Sequence, residues 1–270
     1  MNARITRFTI LSEHNYALGR FYEGFFHMRP TGTKGPLQAV EVSDGHIELT
    51  IKPRLPGLPA QLHHFGIDVD DPRQVVARIG EKYPGIAWLE KPVGACRAPI
   101  STHDPAGNFF DVFQRAAKLP GHGNGAESRQ PARAIDHFAL RVLHPEQVAE
   151  FYVNVFGLSA VERSTEGQKN FYLSDGHLTL VIIPWCINDF QGTGITARGM
   201  DHIGFRVESI AALKSEIDAV TQENYRFQPR TSLVGRGKEG GVRLTMFRKT
   251  CPLGHHHMAD SDGFLLDVVE

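Results

Sequence analysis

Three side chains in this chain are of the types that hold a reactive metal: His137, His202 and Asp267, separated by 65 and 65 residues. Two imidazoles and one carboxylate form the donor set that binds Fe(II) or Mn(II) and leaves coordination positions open for a substrate and dioxygen. Taken singly, each residue also has a plainer reading. A lone histidine among apolar strand neighbours is more often a satisfied core residue than a ligand, and Asp267 would suit the outward face of an amphipathic strand, with Glu270 as the reserve carboxylate. What joins the three is their position in a duplicated pattern.

The duplication is most visible at Val42-Ser43-Asp44-Gly45-His46 and Leu173-Ser174-Asp175-Gly176-His177, 131 residues apart. Each is a strand, a tight Asp-Gly turn and a second strand, because the turn needs positive φ and glycine supplies it without steric cost. Arg4 to Ile10 aligns with Ala134 to Leu140, and Phe21-Tyr22 with Phe151-Tyr152. Residues 61–69 align with Gly199–Val207, which places His202 on His64. Asp104 to Asp111 aligns with Asp260 to Asp267. The pattern predicts a β-α-β-β-β half-unit written twice in each copy. Asn15 is the expected cap of a helix to Phe26, and Asp71-Pro72 opens another to Tyr83. The fold class is therefore α+β: two tandem similar domains, 1–115 and 134–270, each of paired βαβββ modules forming a curved mixed sheet. The polar, Gly- and Pro-containing stretch 116–133 is read as the linker. An insertion of about 18 residues between 226 and 259 carries Gly235-Arg236-Gly237, Gly240-Gly241 and His255-His256-His257. Its glycines lack the Lys-Ser/Thr of a phosphate loop, so a mobile flap over the pocket is expected.

Composition narrows the class. The chain has 270 residues, a net charge of -1 and 41% hydrophobic residues, which predicts a globular protein without a basic field for nucleic acid. No apolar run approaches a membrane span, and the N-terminus runs directly into a strand pattern, so no signal peptide is expected. Cys96, Cys186 and Cys251 are sparse, odd in number and far apart, which fits a reducing cytoplasm.

Ile135-Asp136-His137-Phe138, Met200-Asp201-His202-Ile203-Gly204-Phe205, the Ser-Asp-Gly-His hairpins and the two Asp-x-x-Gly-x-x-x-Asp closing strands together resemble the vicinal oxygen chelate superfamily. That superfamily includes glyoxalase I, bleomycin-resistance proteins and type I extradiol dioxygenases, and the resemblance covers nearly the whole chain. It implies that His137, His202 and Asp267 are metal ligands in a cup of the second domain. The two-domain plan with one metal domain resembles the extradiol branch. In the first copy Arg7 stands at the place of His137, and a guanidinium has no lone pair to donate. The first domain is thus expected to be a degenerate copy, with His64 structural or pocket-lining and Arg7 paired to Asp111. Two departures stand out: the last ligand is Asp where the superfamily usually has Glu, and the stretch before the closing turn has a His but no Tyr.

The resemblance implies a metal-dependent oxidoreductase acting on a catechol-like aromatic diol with dioxygen. Fe(II) is the expected metal, with Mn(II) or Zn(II) as alternatives. A histidine of the 255–257 run, His257 or His255, is the expected acid and base, since imidazole titrates nearest working pH. Tyr225 or Tyr172 would stabilise an anion, and Phe138, Phe171, Phe205 and Trp185 are candidates to line the cup. A homo-oligomer is expected. The alternatives on the same fold are a glyoxalase- or epimerase-type lyase or isomerase with a redox-silent metal, and a non-enzymatic bleomycin-resistance-like binding protein.

Overall fold

The computed structural model describes residues 2–32, 38–54, 56–58, 60–91, 100–115, 131–162, 169–185, 199–229, 238–250 and 253–270. Most of the expected linker (116–130), the three cysteines and Gly235–Gly237 lie outside them.

Two sheets form. The first is built from β1 (Arg4–Ser12), β2 (Arg29–Pro30), β3 (Val40–Ser43), β4 (Glu48–Pro53), β5 (Gln61–Val69), β6 (Trp88–Glu90), β7 (Ile100–His103) and β8 (Phe109–Gln114), in the order β2-β3-β4-β1-β5-β8-β7-β6. The second comprises β9 (Ala134–Val142), β10 (Ser159–Ala160), β11 (Phe171–Ser174), β12 (Thr179–Pro184), β13 (Gly199–Arg206), β14 (His256–Ala259) and β15 (Leu265–Val269), in the order β10-β11-β12-β9-β13-β15-β14. The orders superimpose. In each sheet two modules meet at a central antiparallel pair, β1 with β5 and β9 with β13, flanked by the parallel partners β4 and β8 or β12 and β15. Helices α1 (Asn15–Phe25), α2 (Pro72–Lys82), α3 (Pro145–Phe156) and α4 (Ile210–Glu223) cross between strands. A fifth, α5 (Lys238–Thr250), comes from the insertion. It runs through Gly240-Gly241, where the sequence alone suggests a flap. Among the described residues no helix is long and apolar enough to cross a membrane.

Capping follows local chemistry, with one correction. Asp71 accepts from the backbone N–H of Arg73 ahead of Pro72, and Ser209 accepts from that of Ala212. Asn15, expected to cap α1, is instead its first residue; its amide donates to the Gln38 carbonyl.

The duplicated hairpins hold the domains together. In each turn one carboxylate oxygen, Asp44 Oδ1 or Asp175 Oδ1, accepts two local backbone N–H groups at 2.8 Å. The other oxygen crosses the interface: Asp44 Oδ2 accepts from Ile135 N at 2.9 Å, and Asp175 Oδ2 from Ile5 N at 2.8 Å. The closing turns reciprocate in the same way, with Tyr22 Oη donating to Asp260 at 2.7 Å and Tyr152 Oη to Asp104 at 3.1 Å. One core runs through both sheets. Phe138 meets Phe8 and Phe65 at 5.0 Å each, and Phe205 meets Phe26 at 4.0 Å. Phe138 and Phe205 therefore face this shared core and do not line the cup, and Phe171 packs on the core side as well. Arg133, at the end of the expected linker, is fully buried, where Glu208, Glu216 and the Phe25 carbonyl hold its guanidinium.

Candidate metal centre

His137 lies on β9, His202 on β13 and Asp267 on β15, three neighbouring strands of the second sheet. All three side chains are fully buried, and one donor atom of each lies within 4.8 Å of the others. His137 Nε2 is 3.1 Å from Asp267 Oδ2, and the two imidazole rings stand nearly perpendicular with centroids 5.4 Å apart. Two donors bound at about 2.1 Å and about 90° to each other would lie about 3 Å apart, so the donor set fits a divalent transition metal. The shorter reach of aspartate is met by close backbone approach. A Cβ on Gly254 would fall 1.5 Å from Asp267 Oδ1, and one on Gly204 would fall 2.0 Å from the His137 ring. Glycine is required at both places for the donors to sit where they do.

Each histidine of the set follows an aspartate, and the backbone explains why the pair works together. Residues adjacent in a regular strand point to opposite faces. Here the β9–β13 register skips at Asp136 and at Asp201, so each is the extra residue of a β-bulge. The bulge brings each carboxylate round to its histidine: Asp136 Oδ2 meets His137 Nδ1 at 3.1 Å, and Asp201 Oδ2 meets His202 Nδ1 at 2.8 Å. Such partners fix the ring and the tautomer, leaving Nε2 to coordinate. Asp201 is in turn gripped by Arg141, with Nε to Oδ1 at 2.7 Å and NH2 to Oδ2 at 3.0 Å.

The charges follow from this packing. Burial pushes His202 below the ordinary histidine value against the pull of Asp201, which favours the neutral ligand form. Burial also acts to lower His137, but hydrogen bonds to Asp136 and Asp267 outweigh it and hold this histidine above its usual value. Asp267 lies below the carboxylate range because its histidine neighbours overcome burial, and Asp201 well below it because Arg141 does. A metal cation would compete with the proton on His137.

Of the expected acid–base residues, the structure brings His257 alone to the triad. It is buried, with Nε2 at 3.4 Å from Asp267 Oδ1. His255 is exposed, and His256 alternates away, where burial lowers it to about 4. Tyr225 is 74% exposed in a short 3-10 turn and lines a surface cleft with His14, Tyr16 and Asp262, none of them from the triad. Tyr172 belongs to the cup, in an apolar cluster with Ala139, Val181, Ile183, Leu265 and Phe247. Glu270, the reserve carboxylate, accepts from the Ile210 backbone at the start of α4 instead. Trp185 is half-buried just past β12, its backbone N–H bonded to the Val142 carbonyl.

Phe247, on α5, has no counterpart in the sequence reading. Its fully buried ring lies 4.7 Å from His202 and 4.8 Å from His257, closing the cup.

The first domain repeats the bulges, at Thr6 and His63, but not the donors. Arg7 pairs with Asp68 and lies 4.1 Å over the Phe113 ring. It does not pair with Asp111, as expected from sequence; Asp111 is held by Lys91 at 3.1 Å and by Ser101. His64 is half-buried, in contact with His63 and Thr9, and burial lowers it to about 4.

A model of the Glyoxalase/Bleomycin resistance protein/Dioxygenase superfamily matches residues 134–268. No curated protein sequence matches the chain. Among solved structures, 2,2',3-trihydroxybiphenyl 1,2-dioxygenase from Sphingomonas wittichii is similar at 13% identity and a TM-score of 0.62, over 99% of this chain and 90% of its own. Homoprotocatechuate 2,3-dioxygenase from Arthrobacter globiformis is similar at 14% and 0.62, over 98% and 78%. The Mn(II)-bound glyoxalase from Novosphingobium aromaticivorans is similar at 13% and 0.62, over 98% and 82%. These likenesses establish the fold, two tandem domains with mixed sheets. With the matched family model, the chain belongs to the Glyoxalase/Bleomycin resistance protein/Dioxygenase superfamily.

Proposed function

We propose that the protein is an Fe(II)-dependent dioxygenase of the extradiol type, acting on a small aromatic compound with adjacent hydroxyls. The observation that carries this reading is the buried His137, His202 and Asp267 set, three donors on one side of a centre bordered by an apolar wall. His137 and His202 would hold the metal through Nε2 and Asp267 through its carboxylate. When bound, Fe(II) would supply Lewis acidity toward the substrate hydroxyls and an electron route to dioxygen. The protein's own contribution is positioning. Asp136 and Asp201 hold the two rings in the ligating tautomer. Ala139, Val181, Ile183 and Phe247 exclude water and offer a flat ring apolar contact. His257 Nε2, beside Asp267, would take a hydroxyl proton and return it later. The names of two of the similar structures, both dioxygenases, agree with this reading.

The Mn(II)-bound glyoxalase matches with the same TM-score, which keeps a lyase or isomerase with a redox-silent metal as the second reading. The test begins with protein purified anaerobically without chelators or an affinity tag. Bound metals are measured by mass spectrometry for the wild type and His137→Ala. Near-stoichiometric iron that is lost in the variant, with dioxygen uptake on adding catechols, is expected. Zinc or nickel without dioxygen uptake would favour the second reading. No metal after reconstitution would refute both and leave a binding protein.

A further inference from the structure

Arg141 lies on β9 and is 1% exposed. Its fork grips both oxygens of Asp201, which holds Nδ1 of His202. The same NH2 that meets Asp201 also donates to Thr250 Oγ1 at 3.2 Å, in the last turn of α5. The Asn170 side chain, just before β11, donates to the Thr250 carbonyl at 3.2 Å, so the C-terminal end of α5 is clasped from two sides. A cation there also suits the negative end of the helix dipole. Three residues before the clasp, Phe247 rests on His202 and His257. The helix that closes the cup and the ligand at its floor therefore share one guanidinium.

We infer that Arg141 is a positioning residue that couples the seating of α5 over the cup to the orientation of His202 as a ligand. The inference rests on the metal reading above but not on any substrate or reaction. A planar fork is needed for this, because an ammonium cannot meet both Asp201 oxygens and Thr250 in one plane. Coupling of this kind is reciprocal: whatever orders His202 must also hold α5, and the reverse.

The test uses Mn(II) as the probe, with two readouts that need no turnover: affinity by chelator competition, and hydrogen exchange at the amides of Phe247 to Thr250. In the wild type, Mn(II) is expected to slow exchange in α5. Arg141→Lys should weaken Mn(II) about 10- to 100-fold, the usual effect of losing an outer partner of a ligand. Because a buried arginine can be needed for folding, Thr250→Val is run beside it. It cuts only the α5 side of the link and should bind Mn(II) severalfold more weakly with reduced protection of α5, while Thr250→Ser restores both. If the wild type binds Mn(II) but α5 exchange ignores it, the coupling is refuted. It is refuted equally if Thr250→Val matches the wild type in both readouts. A wild type that binds neither Mn(II) nor Fe(II) overturns the metal reading, and this inference falls with it.

Discussion

Gly204→Ala should abolish tight metal binding without replacing any of the three candidate donors. The added Cβ would lie 2.0 Å from Cε1, 2.1 Å from Nδ1 and 2.3 Å from Nε2 of His137. An ordinary carbon contact is about 3.5 Å, so the ring must retreat by about 1.5 Å. It has no slack. The ring is fully buried and pinned by Asp136 and Asp267, both at 3.1 Å. Productive metal bonds tolerate displacements of about 0.2 Å, so the required shift is several times too large. An affinity loss of at least about 100-fold is expected, with an overpacking cost of about 1–3 kcal/mol. The assay is chelator competition with Mn(II) or Fe(II), alongside urea unfolding of the metal-free protein. Gly24→Ala is the control: it lies on α1 with nothing within 4 Å of the added carbon, and should leave affinity unchanged while stabilising the helix by up to about 1 kcal/mol. Wild-type affinity in Gly204→Ala would show that His137 does not occupy its observed position when metal is bound, and would refute the assignment of β9 and β13 as one ligand platform.

Other perturbations test the frame around the site. Burial raises Asp260 to about 7 against about 3.9 for an unfolded aspartate, so the folded protein keeps a proton that the unfolded chain releases. That contribution, about 4 kcal/mol at most, is full below about pH 4 and lost as pH rises to about 7. Asp260→Asn should flatten the fall in urea midpoint between pH 5 and pH 8, and an unchanged slope would contradict the assignment. Asp44→Asn keeps an oxygen for its own turn but can set an amide donor against the Ile135 N–H; a loss of about 1–3 kcal/mol in chemical denaturation is expected, and no loss would remove the hairpin clasp as a stabilising contact. Arg7→His should bind no second equivalent of Mn(II), because Lys91 already holds Asp111 and Phe113 fills the space above Gly66, 2.7 Å from where a Cβ would be. A second equivalent in titration would show that the first cup needs only one side chain to become a site.

Much of the architecture was legible because it is local and written twice. The Asp-Gly turns, Asp71-Pro72 and the alternating strands each fix their own conformation, and the duplication supplies the topology. The triad was legible for the same reason, since His202 and Asp267 fall on strand positions that the first copy also marks. What escaped depends on tertiary context. Gly240-Gly241 and a weakly amphipathic composition argue against a helix, yet burial of Phe247 in the cup outweighs that propensity in α5. Phe138 and Phe205 sit beside the motif residues, but strict alternation sets Phe138 opposite His137 and Phe205 opposite Gly204, so the period of 2 turns both rings to the core and not to the cup. Arg133 stands in a polar stretch with nothing local to announce that its guanidinium is buried against Glu208, Glu216 and the Phe25 carbonyl.

The aspartates beside the ligands show where alternation itself fails. Asp136 and Asp201 are in the motifs, but a regular strand would turn each away from its histidine, and only the bulges bring them back. The first domain carries the same bulges, at Thr6 and His63, and the same glycine, Gly66, on the facing strand. Both domains thus present the same bulged backbone. They differ in what the backbone displays. Thr6 and Arg7 meet Asp68, whereas His137 meets Asp136 and Asp267, and His63 contacts His64 where Asp201 grips His202. A bulge costs a ladder hydrogen bond wherever it occurs, so its presence in a cup without donors is most simply a property of the shared fold. The two copies accordingly differ in the side chains set on a platform that both retain, and on the proposed metal reading Arg141, Asp136, Asp201 and Gly204 matter to the site as much as the three donors do.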